Sequence, residues 1–306
     1  MAQAPKGTRR VAVLLSSNPT ATAQWLKSFV GGLSELGWVE RRNLSLDIRY
    51  AEGDAARFRP LVAELLGMKP DVLLASIEPV AREAVALTKT VPIIFALGFD
   101  PVGTGLVQSF ARPGGNVTGL SVLNYELVPK RLALLKEAVP GLTRVAVMYR
   151  AADRNADRVL QELVEPARTL KLSIIPAEVR DAGALEGVFA QLVRQKAGGI
   201  VAVPDVFFFQ NAPRIMDLAA AHGLVSIFPS IEYAKAGALL SYGTDYTAVY
   251  RRCAALVDKI LKGANPASIP VEQANVYELA VNLKTARRLG IALPRTLLLQ
   301  ATQTIE

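Results

Sequence analysis

The chain has 306 residues, of which 51% are hydrophobic and 20% charged, and this composition excludes a disordered protein and leaves room for two domains. It contains no run of about 18 apolar residues, so the sequence predicts no membrane-spanning helix. The net charge of +8 comes from Lys and Arg residues spread along the chain, which favours a basic surface over a nucleic-acid site.

The chain contains one cysteine and one histidine, which excludes an intramolecular disulfide and a Cys/His metal site. Cys253 lies in an apolar helical pattern and is expected to pack as a small hydrophobic residue, and His222 is expected at a helix end. The segment "GTGLVQ" lacks the third glycine of a dinucleotide-binding motif. We therefore expect neither a metal nor a cofactor.

The first half of the chain alternates short apolar runs with helical patterns. Asn18 and Pro19 are typical of a helix N-terminus, and Gly37 of a helix end. Strands are predicted at 11–15, 43–53, 71–76, 91–97 and 117–121. Helices are predicted at 19–36, 54–68, 79–89 and 125–139, with a further helix opened by Asp100 and Pro101.

The series then restarts, because "VAVMYRAADRNADRVLQEL" at 145–163 echoes "VAVLLSSNPTATAQWLKSF" at 11–29. Strands are predicted at 144–149, 172–178, 199–203, 225–228 and 238–242. Helices are predicted at 153–170, 182–196, 207–222 and 246–262, and Pro166 is expected to kink or split the first of these. Short buried strands between helices predict an α/β fold with two doubly wound parallel-sheet lobes.

In such sheets, ligands bind beyond the carboxyl ends of the strands, so the residues that follow each strand are candidates for ligand binding. In the first half these are Ser16, Ser17, Asn18, Ser76, Glu78, Phe99 and Asn124. In the second half they are Tyr149, Arg150, Asp205, Phe207, Pro229 and Tyr242. Together they suit a zwitterion or a carboxylate with an apolar or aromatic body.

Several of these residues also have a purely structural interpretation. Asn18 is equally suited to cap a helix, Ser16 and Ser76 to form turns, and Phe207 to pack in a core. Arg150 suits either a carboxylate clamp or a surface loop. Glu78 and Asp205 need hydrogen-bonding or cationic partners if they are buried, and as a carboxylate pair they leave glycosidase chemistry open.

The stretches "DPVGTGLV", "RPGGNVTGLS", "SYG" and "NLKTARRLG" resemble the substrate-binding proteins of ABC transporters, of the tryptophan/tyrosine-binding type. The resemblance runs from about residue 9 to the C-terminus. It implies two lobes that close on a small ligand by hinge motion and deliver it to a membrane permease and its ATPase. It further implies an exported, periplasmic protein without catalytic activity, for which we expect a monomer that does not bind nucleic acid.

The resemblance also implies that the chain crosses between the lobes more than once. The expected N-terminal lobe comprises 1–122 plus 244–270, and the C-terminal lobe 123–243 plus 271–306. The small residues of "AQA" near the start are typical of the end of an export signal.

Where the family has Gly-Thr-Pro, this chain has "IEP", and Arg150 replaces an Asn. The departures from the family pattern therefore fall in the predicted pocket. A ligand-sensing protein and a hydrolase on the same scaffold are the alternatives.

Overall fold

The computed structural model describes residues 7–151, 153 and 155–306. The predicted export-signal remnant near the N-terminus lies outside the described residues. The chain divides into two compact units, of which unit 1 comprises Met1–Val122 with Tyr246–Asn275, and unit 2 comprises Leu123–Asp245 with Val276–Glu306.

The first part of the chain builds most of unit 1. Asn18 caps the first helix, because its side-chain oxygen accepts the Ala21 N–H at 2.8 Å, and Pro19 occupies the first helical turn. The elements are β1 (Arg9–Leu15), α1 (Pro19–Glu35), β2 (Leu44–Tyr50), α2 (Phe58–Gly67), β3 (Val72–Ile77), α3 (Glu78–Leu87), β4 (Ile93–Gly98) and β5 (Val117–Ser121).

The next part of the chain builds most of unit 2. The elements are α4 (Val128–Ala138), β6 (Arg144–Arg150), α5 (Ala156–Glu162), α6 (Val164–Thr169), β7 (Ser173–Val179), α7 (Leu185–Arg194), β8 (Gly199–Ala202), α8 (Val206–Gln210), α9 (Ala212–Ala221), β9 (Val225–Phe228), α10 (Ile231–Ala236) and β10 (Leu240–Thr244). The predicted helix 153–170 is split into α5 and α6, because Pro166 has no N–H to donate to Glu162.

The last part of the chain serves both units. The elements are α11 (Tyr246–Leu261), β11 (Glu272–Gln273), β12 (Tyr277–Asn282), α12 (Leu283–Arg288), α13 (Arg295–Gln300) and β13 (Gln303–Ile305). Helix α11 packs on α1, and β11 pairs with β5, so both complete unit 1. The elements from β12 onwards return to unit 2.

Each unit is built around one sheet. Among the described residues, unit 1 has six strands in the order β11-β5-β4-β3-β1-β2, all paired in parallel. Unit 2 has seven strands in the order β13-β12-β10-β9-β8-β6-β7. Its central strands are parallel, while β12 pairs with β10 in the antiparallel direction. The fold is therefore α/β with two doubly wound sheets dominated by parallel strands.

Several details differ from the sequence-based predictions. The helix predicted over 207–222 is divided at Asn211 into α8 and α9. Asp100 and Pro101 open no helix, because the chain there forms successive turns, in which the Asp100 carbonyl accepts from Thr104 and the Asp100 carboxylate from Gly103. Residues 271–275 belong to unit 1 rather than to the C-terminal lobe, because β11 pairs with β5. Residues 244 and 245 belong to unit 2, since β10 runs on to Thr244.

Within the described part of the chain, no helix combines the length and the apolar character that crossing a membrane requires.

Candidate functional site

Both sheets share one strand order, and this order defines where a ligand site belongs. In unit 1, β1 lies between β2 and β3, and in unit 2, β6 lies between β7 and β8. In each sheet, successive strands are therefore added first on one side of the starting strand and then on the other. This reversal lies between β1 and β3 in unit 1 and between β6 and β8 in unit 2. Ligands of doubly wound sheets bind at such switch points, beyond the carboxyl ends of the strands. The repeated sequence at 11–29 and 145–163 thus begins the corresponding strand of each unit.

At the switch point of unit 1, three serines come together, which we call the serine edge: Ser16, Ser17 and Ser76. The Ser16 N–H donates to the Ser76 hydroxyl oxygen at 2.8 Å, and this bond joins the ends of β1 and β3. The Ser17 hydroxyl is buried and has no hydrogen-bond partner among the described residues. The helix that Asn18 caps begins immediately afterwards, so its N-terminal dipole favours an anion nearby.

Glu78 is buried at the first position of α3, and its carboxylate faces the loop that follows β4. It accepts a hydrogen bond from the Thr104 hydroxyl and a second from the Asp100 N–H at 3.3 Å. The sequence predicted that a buried Glu78 needs such partners, and the structure supplies them from a turn that was expected to be helical. The loop that begins at Phe99 is therefore anchored to α3.

At the switch point of unit 2, Asp205 caps α8 by accepting the Phe207 N–H at 2.6 Å. The Arg150 guanidinium lies 4.1 Å from the centre of the Phe207 ring and donates to the carbonyls of Val179, at 3.5 Å, and Arg180. The cation–π contact and the hydrogen bonds to the two carbonyls hold this cation over the aromatic ring. The next residue along, Phe208, is fully buried in the core of unit 2.

Asp153 joins Asp205 at this edge and was not among the predicted site residues. Its carboxylate accepts from the Asn155 N–H at 2.9 Å, and the Tyr125 hydroxyl lies 3.4 and 3.5 Å from its two oxygens. The sequence pattern placed Asp153 inside a helix, whereas α5 begins at Ala156 and leaves it in the loop after β6. A short polar run ahead of the first apolar helical position is the signal that could have found it.

Burial raises the pKa of both carboxyl groups above their ordinary values. For Asp205, the hydrogen bond from Phe207 and the Arg150 charge act in the opposite direction, while the Asp153 charge raises the pKa further. For Asp153, the hydrogen bonds from Asn155 and Tyr125 oppose the effect of burial. Two partly desolvated carboxylates that repel each other favour a bound cation such as an ammonium group.

The remaining predicted residues of unit 2 lie in two places. Asn124, Pro229 and Tyr242 surround the buried side chain of Arg131, which sequence reasoning did not select. Tyr149 instead lines a cavity of about 340 Å³ beside the edge strand β7, together with Glu178 and residues of α7. The structure therefore does not gather all the predicted residues of unit 2 around one point.

Comparison with known proteins gives consistent results along the whole chain. The family described as ABC transporter substrate binding protein matches residues 10–305. A tyrosine-binding protein from Clostridioides difficile (strain R20291) is 26% identical over 266 residues, which is 87% of this chain and 76% of that protein.

Two solved structures resemble the whole chain. A conserved domain protein from Vibrio cholerae is 30% identical, with a TM-score of 0.87 over 97% of this chain and 99% of that one. The ABC domain of a Streptococcus pneumoniae protein in complex with L-Trp is 23% identical, with a TM-score of 0.88 over 98% of this chain and 100% of that one. The second likeness concerns the fold alone.

Proposed function

Because this chain belongs to the family of ABC transporter substrate-binding proteins, we propose that it captures an aromatic amino acid or a similar zwitterion for import. Proteins of this family bind small solutes and deliver them to ABC permeases; they are not classed as enzymes. We propose further that this chain acts in the periplasm as a monomer and that an ATPase drives the permease it serves.

The observation that carries this proposal is the family match over residues 10–305, which spans both units. The ligand class is supported by a relative named as a tyrosine-binding protein and by one solved with L-Trp. The chemistry of each unit fits that class independently. The serine edge of unit 1 suits a carboxylate, and the two acids of unit 2 suit an ammonium group.

We propose a role in ligand binding for each edge by itself. At the serine edge of unit 1, a ligand carboxylate accepts hydrogen bonds from the Ser17 hydroxyl and from backbone N–H groups at the start of α1, where the helix dipole adds a favourable field. At the edge of unit 2, a ligand ammonium group binds Asp205 and Asp153, and an aromatic ring packs on the face that Phe207 and Arg150 form. Glu78 acts indirectly by holding the loop after Phe99.

The hydrolase alternative is not supported by the surroundings of its two acids. Glu78 accepts hydrogen bonds from Thr104 and Asp100, and Asp205 is engaged as a helix cap. Glycosidase chemistry needs two carboxyl groups that face the scissile bond of the substrate, whereas the Glu78 carboxylate is engaged by the loop that follows β4. We therefore retain the transport function alone.

The test is binding of L-tryptophan and L-tyrosine, measured by titration calorimetry and by the rise in melting temperature. We expect Asp205→Asn to weaken binding at least tenfold, because it removes the charge that faces the ammonium group. The amide oxygen of Asn still caps α8, so the melting temperature of the free protein changes little. Asp181→Asn is the matched control, since Asp181 caps a short helical turn in the same unit and is exposed.

If neither amino acid raises the melting temperature of the wild-type protein, the proposed ligand class is wrong. If both bind and Asp205→Asn binds them as tightly as Asp181→Asn does, the assignment of the ammonium site is wrong and the ligand class stands.

A further inference from the structure

Tyr250 is a fully buried tyrosine of α11 whose hydroxyl makes no regular hydrogen bond among the described residues. Its ring is fixed, because it stacks on Trp25 of α1 with the ring centres 5.7 Å apart. A phenylalanine would fill the same space without burying a hydroxyl, and a buried hydroxyl without a hydrogen bond destabilises the folded state. Packing alone therefore does not account for a tyrosine at this position.

The Tyr250 hydroxyl lies beside the serine edge of unit 1, because α11 packs on β3 and Ser76 stands near the end of that strand. Burial raises the pKa of the Tyr250 phenol well above its ordinary value, and Cys253 and Tyr246 act in the same direction, whereas the nearby Ser76 hydroxyl lowers it. The phenol therefore keeps its proton at neutral pH and holds it close to Ser76.

The Ser76 hydroxyl has one hydrogen to donate and two positions at which it accepts. The Ser16 N–H occupies one of these positions at 2.8 Å. The other position suits the Tyr250 phenol, which carries a proton on the side of α11. With a donor at each of its two acceptor positions, Ser76 has to direct its own hydrogen to a third group, which must be an acceptor.

On the basis of the proposed function, we infer that Tyr250 is a positioning residue that makes Ser76 a donor to the ligand carboxylate at the serine edge. The carboxylate takes the Ser76 hydrogen, and the Tyr250 phenol donates to the Ser76 oxygen. Hydrogen bonds linked in this way strengthen one another, and a carboxylate accepts more strongly than a neutral carboxamide. Every protein group in the arrangement belongs to unit 1, and Tyr250 does not touch the ligand.

The first test compares L-tryptophan with L-tryptophanamide, which differ at the carboxylate, by titration calorimetry on the full chain. We expect Tyr250→Phe to weaken binding of the acid at least fivefold, while the amide binds within about twofold of its wild-type affinity. The melting temperature of the free protein should stay unchanged or rise, because the variant no longer buries this hydroxyl. Tyr233→Phe is the matched control, since Tyr233 is buried and stacked on Phe228 at 4.7 Å but belongs to unit 2.

The second test asks whether Tyr250 acts through Ser76, by means of double variants. In a Ser76→Ala background, Tyr250→Phe should change the affinity for L-tryptophan by less than about twofold, because the group that it positions is absent. In a Ser17→Ala background, the full effect of Tyr250→Phe should remain, since Ser17 is a separate donor. If Ser76→Ala does not fold, the acid-to-amide comparison and the melting temperature of Tyr250→Phe decide the question.

An unchanged affinity for the acid in Tyr250→Phe overturns the inference, and so does a full effect that persists without the Ser76 hydroxyl. Equal weakening of acid and amide, or a lower melting temperature of the free variant with unchanged selectivity, assigns the hydroxyl to the fold alone and also overturns it. A wild-type protein that binds neither compound overturns the ligand class and this inference with it. A wild-type protein that binds both with equal affinity overturns the inference and leaves the proposed transport function intact.

Discussion

At the scale of single residues, Ser17 is informative because its hydroxyl is buried at the end of β1 without a hydrogen-bond partner among the described residues. An unpartnered buried hydroxyl destabilises a folded protein by about 1–3 kcal/mol. Such a cost fits the proposed contact between the Ser17 hydroxyl and a ligand carboxylate. Removing the Ser17 hydroxyl is therefore expected to affect stability and ligand affinity in opposite directions.

We predict that Ser17→Ala leaves the melting temperature of the free protein unchanged or raises it by a few degrees. The same change is expected to weaken binding of L-tryptophan about fivefold to twentyfold, since the ligand carboxylate loses a donor. Ser28→Ala is the control, because Ser28 is half-buried on α1 and its hydroxyl donates to the Thr247 carbonyl at 2.8 Å. A fall in melting temperature with unchanged affinity would assign Ser17 to folding alone.

Glu278 is a second residue for which the surroundings lead to a measurable prediction, because they raise the pKa of its carboxyl. Burial, together with the neighbouring charges of Asp245 and Glu232, raises the pKa of its carboxyl from 4.5 to about 7. The Ile231 N–H and the Lys235 charge act in the opposite direction. The amide of Gln303 also faces it, with Nε2 3.4 Å from a carboxylate oxygen.

We predict that this group lowers the stability of the protein as the pH rises through the range from 4.5 to about 7. In that range the folded state holds a proton that the unfolded state has already released, so the free energy of unfolding falls with increasing pH. Glu278→Gln is expected to flatten this dependence and to raise the melting temperature at pH 8. Urea unfolding of both proteins between pH 4.5 and 8 measures how the free energy of unfolding depends on pH.

The control for the pH series is Glu186→Gln. Glu186 has its pKa lowered by a hydrogen bond from Arg214, so it titrates below the tested range. An unchanged slope in Glu278→Gln would show that another group releases the proton.

At the scale of elements, the contact between α1 and α11 depends on one glycine. A Cβ at Gly32 would lie 2.9 Å from the Ala254 Cβ and 3.3 Å from the Arg251 carbonyl oxygen, so the two helices approach more closely than alanine allows. A Cβ at the preceding Gly31 would have no neighbour within 4 Å. The two positions form a matched pair within one helix.

We predict opposite effects of the same substitution at these positions. Gly31→Ala should stabilise the protein by about 0.5–1 kcal/mol, because alanine loses less backbone entropy in a helix. Gly32→Ala should destabilise it by about 1–3 kcal/mol, because the helices must separate to admit the methyl group. Denaturant unfolding of both variants measures the difference. Equal effects of the two substitutions would mean that α1 and α11 adjust without strain.

The elements also show what the sequence could and could not predict. Buried strands and helices repeat with clear periods, so β1 to β10 and most helices were predicted from the chain itself. The turns after Asp100 were taken for a helix, because an N-cap residue before proline resembles a helix start. Their turn structure depends on Glu78, 22 residues earlier, whose carboxylate accepts the Asp100 N–H.

The same limit applies to the site. Residues directly after a strand could be selected from their position, and Asp205 and Ser17 were proposed as site residues in this way. Arg131 could not, because a single arginine in an amphipathic pattern suggests a solvent-facing position. Its burial depends on carbonyls of Asn124 and Tyr242, one of them 111 residues away. Sequence periodicity carries no information about such contacts.

At the scale of the whole molecule, unit 1 is made of two separate segments of the chain. Its second segment carries α11, which packs on α1 and on β3, β4 and β5. Trp25 meets Tyr246 and Tyr250 with ring centres 5.1 and 5.7 Å apart, and the Trp38 indole donates to Asp258 at 2.9 Å. Without α11, the apolar face of α1 and one face of the sheet would be exposed to water.

We therefore predict that residues 7–122 alone do not unfold cooperatively, whereas 7–122 joined to 246–275 by a flexible Gly/Ser linker do. The first chain lacks the helix that buries its core, and the second restores that helix in the absence of unit 2. Thermal unfolding followed by circular dichroism, together with binding of a hydrophobic dye, measures the difference. A sharp transition of 7–122 at the temperature of the joined chain would show that α11 is dispensable. If neither chain unfolds cooperatively, unit 1 requires unit 2 for its stability.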